Sequence, residues 1–245
     1  MMQPIRFGRV FGIPLEARVS FLVMLAAVLL FMGGLSGIFV VLLAFASIVL
    51  HELGHALVAR RLGVGVSGIE LHFFGGLAKL TSQPASSRDE ILIAAAGPAV
   101  SLALSGLGFL LSLATGWSVF ALLGAVNLVI GVFNLIPALP MDGGRILRAI
   151  LAQRLGFGKA TVLAVKISRA VSIAFAVVGL AFFHVQLLLL AGVLWVMASA
   201  ELRGAAPYQE RGDLRYGHQD ADSRHSQQQV VLDRNGRPVF VVRRY

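Results

Sequence analysis

Cysteine is absent from all 245 residues, which removes disulfides, thiolate metal ligands and cysteine nucleophiles at once. Charge is scarce too. Asp, Glu, Lys and Arg make up 13% of the chain against 57% hydrophobic residues, where a soluble domain carries about 25% charged residues. An ordinary soluble domain is thereby excluded, and a multi-span membrane protein is expected. Acids are the scarcer sign, 12 against 21 bases, for a net charge of +9. That excess does not point to nucleic acid, because the bases flank apolar segments instead of gathering on one face, and no nucleic-acid-binding motif is present. Membrane topology and anionic lipid headgroups account for it. The first apolar run, 19–32, follows Arg6, Arg9 and Arg18 as in a signal peptide, but lacks an A-x-A-like cleavage site and reads as a span.

Six spans are expected, at 19–35, 37–59, 91–114, 118–136, 161–183 and 185–200. The first is short for a bilayer. The turns at 33–37, 115–118 and 184–186 carry no Lys or Arg, whereas the basic residues are assigned to the other side, so both termini are expected in the cytoplasm of a multi-pass cell-membrane protein. Outside the spans the pattern changes. Residues 5–11 alternate, Gly12, Ile13 and Pro14 read as a turn, and a second short strand follows at 15–19. Residues 66–73 and 77–80, broken by Gly75 and Gly76, read as a hairpin. Ser87, Arg88, Asp89 and Glu90 read as a capping box opening the third span, and 145–155 as a basic amphipathic connector. Residues 1–202 are expected to form the membrane domain. The polar remainder, 203–245, is a cytoplasmic tail with a β-hairpin about Asn235-Gly236. No internal repeat is found.

The second span contains His51-Glu52-Leu53-Gly54-His55. Two histidines at i and i+4 share one helix face and can close on a single Zn²⁺, and Glu52 beside them can act as base on a water. Residues 37–50 carry no charge and Arg60 and Arg61 follow, so the pair lies about 14 Å from the basic end at 1.5 Å per residue. A charge inside the bilayer is expensive, which makes Glu52 a functional candidate by default. Two histidines are one short of the three protein ligands of a catalytic zinc site. Asp142 is the candidate third, in a segment broken by Pro137, Pro140, Gly143 and Gly144. The alternative makes Asp142 a helix cap. Asn134 either donates to a substrate carbonyl or developing oxyanion, or satisfies carbonyls freed by Pro137. Asn127 reads as interhelical glue, His72 and His184 as structural or solvated, and Gly54 as a point of close helix approach.

These motifs resemble those of the site-2 proteases, the intramembrane zinc metalloproteases. The resemblance rests on His51-Glu52-Leu53-Gly54-His55 and on Asn134, Pro137, Pro140, Asp142 and Gly143, supported by Phe11-Gly12-Ile13-Pro14, Phe74-Gly75-Gly76 and Ala96-Gly97-Pro98. It implies an all-α membrane protein whose hairpins join in a small membrane-surface sheet, which a substrate strand could extend. It also implies one Zn²⁺ per chain held by His51, His55 and Asp142, with Glu52 activating water. The expected function is endopeptidase cleavage of a membrane protein within or near its transmembrane helix, in regulated intramembrane proteolysis, with homo-oligomerisation left open. Two departures stand out: Ser101 occupies a position where the family often has Asn, and no PDZ or CBS domain is expected within the 245 residues. The alternative is a non-catalytic, membrane-protein-binding or chaperone-like relative of the same fold.

Overall fold

The structure is a computed structural model that describes residues 5–21, 23, 26, 30, 34–72, 75–82, 84–205, 228–232 and 238–242. Two strands, β1 (Ile5–Val10) and β2 (Ile13–Ala17), precede helix α1 (Gly34–Arg61), and β3 (Val66–His72) and β4 (Gly75–Leu80) follow it. Helices α2 (Ser87–Thr115), α3 (Ser118–Asn134), α4 (Asp142–Leu155), α5 (Phe157–Ala181) and α6 (Val185–Ala205) complete the body. Strands β5 (Gln228–Leu232) and β6 (Pro238–Val242) pair antiparallel, as expected for the tail, though Asn235-Gly236 lies outside the described residues. Most of the first expected span also falls outside them. Among the described residues, 37–61, 87–115 and 157–181 are long and apolar enough to cross a membrane, whereas 118–134 and 185–201 are apolar but shorter.

The four strands before α2 form one mixed sheet in chain order, β1–β2 and β3–β4 antiparallel and β2–β3 parallel. Its apolar face, with Ile13, Leu15 and Ile69, packs on Leu53 and Ala56 of α1, the helix that carries both histidines. Polar residues project on the other alternation. Glu16 and Glu70 are register partners across β2 and β3, and Arg6, Arg18 and Lys79 surround them. Arg6 Nε donates to Glu16 at 2.9 Å and Lys79 Nζ at 3.2 Å, while Arg18 and Lys79 pair with the buried Glu70. The hydrogen bond from Arg6 holds Glu16 below the usual carboxylate range. Burial would raise Glu70, but Arg18 and Lys79 outweigh it and hold it low as well.

Four local readings change. The turn before β2 is Phe11-Gly12, both at positive φ. Pro14 lies inside β2, ahead of its parallel pairing with β3, which starts at Leu15, so its missing N–H costs that ladder nothing. Gly75 and Gly76 do not break the hairpin but belong to β4. The cap of α2 is Ser86, whose extended backbone lets its hydroxyl accept the Asp89 N–H at 3.1 Å, and Ser87 is already helical. Lys166 and Arg169 lie within α5 instead of flanking a span. Arg169 places its guanidinium 5.1 Å from the Trp195 ring centre and donates to Ser199 Oγ at 3.1 Å, so α6 shelters it.

Candidate metal centre

Helix α1 carries His51 and His55 one turn apart, both buried. Facing them on α2 is a second stripe at the same spacing, Ile93, Gly97 and Ser101. A Cβ at Gly97 would stand 2.2 Å from His55 Nε2 and 2.6 Å from His51 Nε2, so only glycine lets the imidazoles occupy this position. The reciprocal contact is Gly54, where a Cβ would stand 2.9 Å from the Ala96 carbonyl oxygen. Close helix approach is therefore built from both sides, as expected for Gly54.

Each imidazole is fixed by its far nitrogen. His55 Nδ1 donates to the Ile93 carbonyl at 2.6 Å, which leaves its Nε2 as an acceptor. His51 Nδ1 lies 2.9 Å from the hydroxyl of Ser101, a residue with no exposure. Ser101 thus supplies the polar contact that the departure from Asn placed in question. Asp142 completes the cluster. The cap of α4 is Met141, and Asp142 sits in the first turn with its carboxylate on the histidines. Asp142 Oδ2 is 3.1 Å from His51 Nε2 and 3.2 Å from His55 Nε2, and the two Nε2 atoms are 3.2 Å apart.

That near-equilateral triangle fits a divalent cation. Zn²⁺ at about 2.0–2.1 Å from each ligand in tetrahedral geometry separates neighbouring ligand atoms by about 3.3 Å. Without a cation or protons, two nitrogen lone pairs and a carboxylate oxygen would repel at this distance in a buried site. Among the described residues His51, His55 and Asp142 are the one such group with metal-ligand spacing, and neither His72 nor His184 joins it.

Glu52 stands beside the triangle and outside it. Its Oε2 accepts the Ala78 N–H of edge strand β4 at 3.0 Å, and among the described residues no basic side chain pairs with it. A Cβ at Gly76 would stand 2.4 Å from Glu52 Cγ, so the glycines of β4 let the edge strand pass over the carboxylate. Glu52, His55, Asp142, Gly76, Asn134 and Arg145 help line a cavity of about 100 Å³. Asn134 donates to the Ile130 carbonyl at 2.9 Å, one turn back and not a carbonyl freed by Pro137, while remaining part of the cavity wall. Asn127 donates to Ser47 Oγ at 2.9 Å and bridges α3 to α1, the glue expected of it.

The profile of peptidase family M50 matches residues 38–118 and 112–178, more than half of the chain and both motif segments. This chain belongs to peptidase family M50. A zinc metalloprotease of Methanocaldococcus jannaschii is 36% identical to it over 215 residues, 83% of this chain and 62% of that relative. Relatives from Synechocystis and Mycobacterium tuberculosis are 39% and 41% identical over 175 and 147 residues, and the chain spans 46% and 37% of their lengths. The solved site-2 protease from M. jannaschii matches 82% of this M50 chain over 95% of its own length, at 35% identity and a TM-score of 0.65. The resemblance to site-2 proteases is therefore borne out, and with the apolar helices it makes this M50 chain a membrane protein.

The imidazole orienters, by contrast, could be sought in the sequence only through spacing. Ile93 and Ser101 stand four residues either side of Gly97, one stripe facing the histidines. Arg145 and the Ala78 N–H carry no comparable signal.

Proposed function

We propose that this protein is a zinc endopeptidase that cleaves a membrane-embedded protein within or near its transmembrane helix, toward the cytoplasmic side. The observation that carries this is the separation of roles at one buried point: three ligand atoms converge, and a carboxylate outside their triangle faces the same cavity. His51, His55 and Asp142 hold one Zn²⁺ per chain in this reading. Zinc, when bound, supplies the Lewis acid for the scissile carbonyl and for water. Glu52 takes the proton of the attacking water and later returns it to the leaving amine. Its bond from Ala78 leaves the second carboxylate oxygen for that work.

Asn134 lines the cavity within reach of a developing oxyanion, having one amide proton left after the bond to Ile130. A substrate strand adds to the outer edge of β4, and the helix it leaves contains a weak stretch with Gly, Pro or Asn. The chain crosses the membrane six times with both termini cytoplasmic, the bases facing anionic headgroups, and residues 203–245 lie outside the catalytic domain. Co-expression with single-span candidate substrates tests the activity: a cleavage fragment is expected with the wild type and not with Glu52→Gln. Equal cleavage by both would favour the non-catalytic reading for this chain.

A further inference from the structure

Six residues beyond Asp142 on α4, Arg148 makes a contact that the site does not use directly. Its Nη2 and Nε lie 2.5 and 3.2 Å from the same oxygen of Glu90, in the first turn of α2. Glu90 is 3% exposed, and Arg148 has a side-chain exposure of 12%. The guanidinium also rests 5.1 Å from the ring centre of Phe157. An exposed ion pair would carry little meaning, but a buried one gripped by two nitrogens of a planar fork persists in one geometry only.

The elements it joins are those that build the metal centre. Glu90 precedes Ile93, whose carbonyl orients His55, on the helix that also supplies Gly97 and Ser101. Arg148 lies about 9 Å along a rigid helix from Asp142, at 1.5 Å per residue. The two histidines thus take their orientation from α2, while the third candidate ligand arrives on α4. Among the described residues, Glu90 to Arg148 is the one side-chain hydrogen-bonded link between those helices. Ligand distances tolerate about ±0.2 Å, so a small tilt of α4 against α2 is felt at Asp142.

We propose that Glu90 and Arg148 are positioning residues of the metal centre, locking α4 against α2 so that Asp142 meets His51 and His55 at ligand distance. The inference rests on the metal reading above. It predicts a defect in metal affinity and ligand geometry that a purely stabilising ion pair would not cause.

The test uses the full chain purified in detergent, with zinc affinity measured by chelator competition and the visible spectrum of the Co²⁺-substituted protein as second readout. Glu90→Gln is expected to weaken zinc binding about 10-fold, the lower end for groups behind the ligands, and to change the Co²⁺ bands. Glu201→Gln is the control, since Glu201 is 41% exposed and 3.5 Å from Arg148, and it should leave both readouts unchanged. If Glu90→Gln does not fold, Arg148→Lys is measured instead, because lysine keeps the charge but has no fork, and a loss of about threefold or more is expected. A folded variant of either kind that binds zinc within about threefold of wild type, even with a lower unfolding temperature, overturns the proposal. A wild type that binds no zinc brings down the metal reading itself, and this inference with it.

Discussion

The surface sheet and the metal centre both bury carboxylates, and they neutralise them differently. In the surface sheet, Glu16 and Glu70 are matched to the cationic side chains of Arg6, Arg18 and Lys79. Both carboxylates there are answered within the chain, and the product is a fixed sheet. At the metal centre Asp142 meets only His51 and His55; the Ile93 carbonyl takes the far N–H of His55 and leaves its near nitrogen an acceptor, and Ser101 holds the far nitrogen of His51. The charge there is answered by nothing permanent in the chain. The same residue type thus closes a fold in one place and leaves a binding requirement in the other, and the partner's chemistry decides which.

The largest effect expected from this contrast separates the two regions. Asp142→Ala should abolish both zinc retention and cleavage, since it removes part of the ligand triangle. Glu70→Gln should retain zinc while lowering stability by about 1–3 kcal/mol, through a buried side chain that no longer answers Arg18 and Lys79. Zinc loss from Glu70→Gln in a folded protein would erase the distinction. A smaller effect sharpens it: Ser101→Ala leaves every ligand in place but frees the His51 ring, and should weaken zinc about 10- to 100-fold in a chelator titration. Smallest is the response of the sheet to acid. Glu16 and Glu70 have lowered pKa values in the fold, so their stabilisation is present above the unfolded carboxylate range of about 4.3 and is lost as pH falls through the lower folded values. The protection factors of β1 to β4, in which each exchange rate is referred to the intrinsic rate at the same pH, should be flat above about pH 5 and fall below about pH 4. Protection that falls already between pH 7 and about pH 5 would point to a different source of the sheet's stability.

The region most legible in the sequence was the one with the strictest spacing. His51 and His55 at i and i+4 fix a shared face before any packing is known, and Asp142 was reachable because charge at membrane depth is rare. Strand boundaries were less legible, because glycine and proline punctuate a strand as readily as they end one. Gly76 lies in β4 for the sake of Glu52 beneath it, and Pro14 lies in β2 where no donor is needed. The cap of α2 slipped by one residue because Ser86 and Ser87 offer the same hydroxyl and only backbone conformation separates them. Least legible were groups that act through the backbone. The Ile93 carbonyl and the Ala78 N–H belong to residues whose side chains say nothing of hydrogen bonding, so only the fold reveals them.

In the proposed mechanism one carboxylate, Glu52, acts as base, while a second, Asp142, binds the metal with His51 and His55. Zinc per chain, measured on purified Glu52→Gln beside wild type and together with the cleavage rate of one transmembrane substrate, tests that division directly. Glu52 lies outside the ligand triangle, so the variant should hold about as much zinc as wild type, about one per chain, and cleave about 10²- to 10⁴-fold more slowly, the worth of a positioned general base. Zinc lost along with activity would make Glu52 a ligand, and near-normal cleavage with zinc retained would leave the protein without the base proposed for it.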